Sequence, residues 1–167
     1  LLVTLDKYVD LIIPRGGEGL IRAVTKDATI PVIKHYKGVC HTFVDEYADL
    51  NKALKIVENA KCQRPGVCNA LECLVVHRSI AEKFLLMLFD KIGDKVKMHG
   101  DAEVRSILKN IEQDEPDYNM EFLDYAMNIR IVANVDEAIE HINTFSSKHS
   151  ESIITECAEN AAKFFAS

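Results

Sequence analysis

Apolar positions along the chain switch repeatedly between a run and a helical stripe. Residues 9–13 form an apolar run, residues 15–19 read Arg-Gly-Gly-Glu-Gly, and Leu20, Ile21 and Val24 then recur at helical spacing. That order predicts a strand, a turn and a helix opening at about Glu18 to Val24. Residues 30–35 and 39–45, on either side of Gly38, are two more strand candidates. A helix is expected over 49–61, with Leu50, Leu54, Val57 and Lys61 on one face, and a strand over 72–77. Ile80, Phe84, Leu85, Leu88 and Ile92 mark an amphipathic helix over 79–92 that Gly93 ends. A weaker helical stretch covers 101–112, and a polar connection with Pro116 covers 113–119. A strand at 128–133, a helix at 135–145, a strand at 151–155 and a helix at 157–166 complete the pattern. Such alternation predicts an α/β fold with a mostly parallel sheet and flanking helices.

Composition narrows the class. The chain has 167 residues, 48% of them hydrophobic and 28% charged, which is ordinary for a globular domain with a proper core. Its net charge of −6 argues against a general nucleic-acid or anionic-membrane binder. No apolar run approaches the ~18 residues of a membrane span, and no signal peptide is visible. With no initiator methionine, the chain is expected to be a segment of something longer. Five cysteines without a CxxC pair fit a reducing compartment, so a cytoplasmic location is expected.

Cys68 carries the candidate chemistry. It follows Arg64-Pro65-Gly66-Val67 and precedes Asn69. A thiolate is a strong nucleophile, and positive neighbours or helix N-terminal amides favour it. The Pro-Gly pair makes a turn, the residues after Cys68 can open a helix, and Arg64 supplies a cation. A small buried side chain is the competing reading for Cys68, and the expected one for Cys40, Cys62, Cys73 and Cys157, which lie in or beside apolar segments. The spacing of Cys62, Cys68, Cys73 and His77 does not match a structural zinc site, so no metal is expected. The Gly16–Gly19 turn can set backbone N–H groups against a phosphate or merely make a tight turn. Lys34, His35, Lys37 and His41 form a local basic stretch that faces either an anion or solvent.

Several stretches together resemble one family, γ-glutamyl phosphate reductase of the aldehyde dehydrogenase superfamily. They are DLIIPRGGEGLIR (10–22), IPVIKHYKGVCH (30–41), VDEYADL (44–50), NAKCQRPGVCNALE (59–72), DEAIEHIN (136–143) and SSKHSESIITE (146–156). The resemblance implies an aldehyde dehydrogenase-like fold that is incomplete relative to the family. Residues 1–60 would be the end of the NADP-binding domain, and 61–167 most of the catalytic domain. It implies NADPH-dependent reduction of L-glutamyl 5-phosphate to glutamate 5-semialdehyde with release of phosphate, a step of proline biosynthesis.

The family's nucleophile falls on Cys68, which would form an acyl-thioester. The Cys68 N–H is a candidate oxyanion donor. Arg64, Asn69, Lys34 and His35 would bind the substrate. Counting back from Ala48-Asp49-Leu50, His35 stands where the wider superfamily has the glutamate that activates water. Gly16, Gly17 and Gly19 would lie beside the dinucleotide, and Glu121 would hold the nicotinamide ribose. A small-molecule substrate and a homo-oligomer are expected, with neither nucleic acid nor membrane as partner. Two other readings stay open: another acyl-reducing aldehyde dehydrogenase, and a non-catalytic segment that only packs or self-associates. The segment alone is expected to be inactive.

Overall fold

A computed structural model describes residues 2–167. They form two compact units, one up to Lys37 and one from Gly38 to Ser167. The first unit holds a 3₁₀ turn at Leu2–Thr4 and helix α1 at Glu18–Asp27. The expected strands at 9–13 and 30–35 reduce to a single parallel bridge, Ile12 to Val32. Pro14 and Pro31 flank that bridge, and a proline has no N–H to extend a ladder. Helix α1 starts where the Gly-rich turn predicts.

The second unit is a five-stranded sheet with every pairing parallel, in the order β3-β4-β2-β1-β5. Its strands are β1 (Cys40–Val44), β2 (Leu71–His77), β3 (Lys97–Gly100), β4 (Ala126–Val132) and β5 (Glu151–Ile154). Helices α2 (Leu50–Cys62), α3 (Arg78–Ile92), α4 (Ala102–Ile107), α5 (Val135–Phe145) and α6 (Ala158–Phe165) connect and follow them. Strand β1 and helix α2, most of whose residues the resemblance counts with the cofactor domain, lie in this unit. Strand β3 was not expected, and α4 ends at Ile107, short of the stretch expected to 112.

Side chains of β2 alternate between two cores, as the strand period requires. Leu74 and Val76 join the α2–α3 side with Val57, Phe84, Leu85 and Leu88, while Cys73 and Val75 join the α5 side with Phe43, Ala138 and Ile142. Helices α2 and α5 are capped by the residues before them. Asp49 accepts from the Asn51 and Lys52 N–H groups at 2.9 and 3.1 Å, and Asn134 accepts from Glu137 N–H at 3.0 Å. Among the described residues no helix is long and apolar enough to cross a membrane.

Candidate active site

Because the strands are parallel, their amino ends share one edge of the sheet. The segments that enter β1, β2, β4 and β5 there are Gly38–Val39, Gly66–Ala70, Glu121–Tyr125 and Ser146–Ser150. Cys68 lies in the second of these. The residues after it do not open a helix: Ala70 N–H bonds the Val67 carbonyl at 3.0 Å, closing a turn that passes directly into β2. The mostly apolar run from Leu71 to Val76 is drawn into the sheet before a helical turn can form, so no helix opens directly after Cys68. Its side chain is exposed. Cys40 and Cys73 are buried, and Cys62 and Cys157 are half-buried.

Gly38 of the β1 entry and Cys40, the first residue of β1, pin the Cys68 peptide. A Cβ on Gly38 would lie 1.8 Å from the Cys68 carbonyl oxygen, so only glycine permits this approach. Cys40 Sγ donates to the same oxygen at 3.2 Å. Burial, and then the Glu151 carboxylate, push the Cys40 thiol up to about 12, so Cys40 stays a protonated donor rather than a second nucleophile.

Glu121 reaches the same place from the β4 entry. Its Oε1 accepts the Gly38 N–H at 2.7 Å. Behind it, a fully buried ion pair joins Lys61, at the end of α2, to Glu72 on β2 at 3.1 Å. Lys61 also donates to the Leu71 carbonyl at 2.8 Å, and Glu72 accepts the Phe122 and Leu123 N–H groups at 3.2 and 3.3 Å. Burial pushes Lys61 down and Glu72 up, and their mutual attraction opposes both shifts.

The β5 entry completes the edge. Ser147 Oγ accepts the Val39 N–H at 2.9 Å, and His149 Nδ1 lies 3.8 Å from Cys40 Sγ. Lys148 has φ +59°, a left-handed conformation uncommon for a side-chain-bearing residue. A small cavity of about 120 Å³ is lined by Asn69, Cys40, Ser150 and Glu151 among others.

The structure therefore gathers Cys68, Asn69 and Glu121 at one edge. Arg64 sits exposed on the connection before the Cys68 turn, and none of the ion pairs among the described residues involves it. Gly16, Gly17, Gly19, Lys34 and His35 belong to the first unit. There Gly17 precedes α1 with no side-chain cap, which leaves first-turn N–H groups without a capping side chain, and the Lys34 ammonium stands 5.7 Å over the Tyr36 ring.

Lys61, Glu72 and Gly38 carry no role in the sequence reading. A signal was present for one of them, because a lysine on the apolar face of α2 implies a buried partner. Spacing also gives no hint of a buried trio, His41, Cys73 and His141, whose donor atoms lie within 4.8 Å of one another. Cys73 Sγ and His141 Nε2 are 3.6 Å apart, and the two histidine rings meet edge-on at 5.5 Å. Burial pushes the Cys73 thiol far up and His141 down to about 3, so both stay neutral and pack as core.

No protein-family model matches the chain. The fold is that of the aldehyde dehydrogenases: glyceraldehyde-3-phosphate dehydrogenase from Methanocaldococcus jannaschii, solved with NADP, superposes with a TM-score of 0.71 at 19% identity, over 98% of this chain and 45% of that one. Within that class the chain is homologous to γ-glutamyl phosphate reductases over nearly its whole length. The Francisella philomiragia reductase is 53% identical over 165 residues, covering 98% of this chain and 40% of the relative. The crystal structure of the Thermotoga maritima reductase matches with a TM-score of 0.92 and 47% identity, over 99% of this chain and 40% of that one. The chain thus spans about 40% of the length of the relatives it matches.

Proposed function

We propose that the chain supplies the nucleophile of a γ-glutamyl phosphate reductase, and that the whole protein reduces L-glutamyl 5-phosphate to glutamate 5-semialdehyde with NADPH. The carrying observation is homology to reductases of that name across 98% of the chain. The exposed thiol of Cys68, on a turn clamped from two sides, supports it.

In this reading Cys68 attacks the acyl carbon of the mixed anhydride, the carbon–oxygen bond to phosphate breaks, and phosphate leaves from a Cys68 thioester. The Cys68 N–H donates to the oxyanion, and Arg64 holds the phosphate. Asn69 contacts the substrate from the same turn.

In the first unit, the uncapped first turn of α1 after Gly16, Gly17 and Gly19 offers N–H groups to a phosphate; in the second, the half-buried Glu121 carboxylate at the Cys68 edge fits a nicotinamide dinucleotide. Bound there, it would supply the hydride that turns the thioester into an aldehyde, with the thiolate as leaving group. His35 in place of a water-activating glutamate spares the thioester from hydrolysis. Residues 1–60 then serve the cofactor and 61–167 the chemistry, in a cytoplasmic homo-oligomer.

The test is Cys68→Ser in the full-length protein. Phosphate-dependent reduction of NADP by glutamate 5-semialdehyde, the reverse reaction, should vanish while the far-UV spectrum is unchanged. Near-normal turnover by Cys68→Ser would overturn the reading. The 167-residue chain alone should show no turnover, since it lacks much of the surface that orients the reactants.

A further inference from the structure

The buried Lys61–Glu72 pair has no place in the chemistry above, yet it touches both halves of the site. Glu72 lies four residues beyond Cys68 on the same run of chain. Its two oxygens take the N–H groups of Phe122 and Leu123, the residues directly after Glu121. Leu123 has φ +53°, a strained conformation for a leucine that persists only when its surroundings impose it. Glu121 in turn holds the Gly38 N–H, and Gly38 lies against the Cys68 carbonyl. Gly66, at the start of the Cys68 turn, also faces the Leu123 carbonyl, 3.5 Å from where its Cβ would stand. The contacts thus form a closed ring through Glu72, Phe122–Leu123, Glu121, Gly38, Cys68 and back along the chain to Glu72.

A buried carboxylate is a costly way to satisfy two backbone donors. Both side chains of the pair are fully buried, and removing such ions from water costs several kcal/mol each before their attraction offsets it. A hydrophobic pair of similar volume would hold α2 on β2 as well, but it would not hold Phe122 and Leu123. The charge on Glu72 is what the strained segment needs, and Lys61 is what lets that charge stay buried.

We infer that Lys61 and Glu72 are positioning residues: together they fix the Glu121–Leu123 segment, and through it they set Glu121 against the β1 entry beside Cys68. The inference deepens the reductase reading and rests on it for the role of Glu121 as a cofactor contact. The geometric part stands on the ring of contacts alone.

Two measurements on the full-length protein separate these levels. The first needs no activity. In Lys61→Met/Glu72→Gln, which removes both charges together, amide hydrogen exchange at Phe122, Leu123 and Gly38 should quicken by about tenfold or more, while amides in the centre of β2 keep their protection. Glu72→Asp, which keeps the charge on a shorter arm, should give a smaller change and serves if the double variant folds poorly. Exchange at Gly38 that matches the wild type in both variants would overturn the inference.

The second uses turnover. The double variant should raise KM for the nicotinamide cofactor by about tenfold, with much less change in the rate of Cys68 alkylation. Adding Glu121→Gln should then cost little more, because both changes act on one interaction. Fully additive losses would overturn the coupling. An inactive wild-type enzyme would remove the reductase reading and leave the exchange result to decide the positioning role.

Discussion

Cys68 and Cys40 are 28 residues apart and share one carbonyl oxygen, yet their thiols stand in opposite settings. One is exposed on a turn; the other is buried, beside a carboxylate, and pushed up to about 12. Alkylation needs both access and thiolate. Iodoacetamide at neutral pH should therefore modify Cys68 first and Cys40 and Cys73 last, read by peptide mass mapping at short times. Early labelling of Cys40 would remove the protonated-donor role given to it here. Arg64 is the residue whose role is most exposed to test, since the structure shows it near the Cys68 turn without an ion-pair partner. Charge-assisted hydrogen bonds contribute about 1.5–3 kcal/mol, so Arg64→Ala in the full-length enzyme should raise KM for the acyl phosphate roughly 10- to 100-fold with an unchanged melting temperature. An unchanged KM would leave Arg64 as a solvated surface residue and move the search for the anion's partner to Lys148.

The elements were legible where a stripe ran for several turns. Helices α2, α3 and α5 fall within a residue of their expected starts because their apolar faces and capping residues agree. The short strand β5 was legible too, but β3 was not. Strand β3 is four residues, Lys97–Gly100, with its first side chain exposed, and pairing with β4 rather than local pattern makes it a strand. The Pro-Gly pair at Cys68 makes the expected turn, while the residues after it, which could open a helix, go into the sheet from Leu71. Site residues divide the same way. Cys68, Asn69 and Glu121 belong to local motifs, whereas Gly38 matters only because β1 and β2 are parallel neighbours, which no local spacing shows. Gly38→Ala tests this at the level of the two strands. Its Cβ would sit 1.8 Å from backbone, and backbone cannot step aside as a long side chain can. Overpacking of this kind costs about 1–3 kcal/mol, so the midpoint of urea unfolding should fall and labelling of Cys68 should quicken as the β1 entry is pushed from the turn. Gly19→Ala is the control: open space surrounds that position, within a helix where alanine is favoured over glycine, and stability should hold or rise by up to about 1 kcal/mol. Equal effects at the two positions would contradict the close approach.

In the second unit as a whole, the candidate groups sit at the amino ends of the strands. Open parallel sheets more often place ligands at the carboxyl ends. The difference follows from where the chemistry lies along the chain: Cys68, Gly38 and Glu121 all precede their strands, so the sheet acts as a rigid backing that fixes entering segments. That backing carries a buried neutral histidine, and stability should report it. His141 packs on α5 against Cys73, Tyr118 and Phe145, with Tyr118 edge-on at 4.7 Å. Burial, and then the neighbouring His41, lower it from 6.5 to about 3. Its folded value is the depressed one, so below pH 6.5 the unfolded chain takes up a proton that the folded chain refuses. Stability from this group is full above pH 6.5 and is lost as pH falls from there toward 3. By pH 5 the loss is about 2 kcal/mol. Glu72, pushed up by burial, acts in the opposite direction, so the wild-type curve alone does not isolate the histidine. His141→Gln does: it lacks the titration and keeps a polar side chain. Urea midpoints at pH 7.5 and pH 5 should differ markedly for the wild type and far less for His141→Gln. An equal drop in both proteins would mean that His141 protonates within the fold at little cost, and that the core on this face of the sheet is wetter than its packing shows.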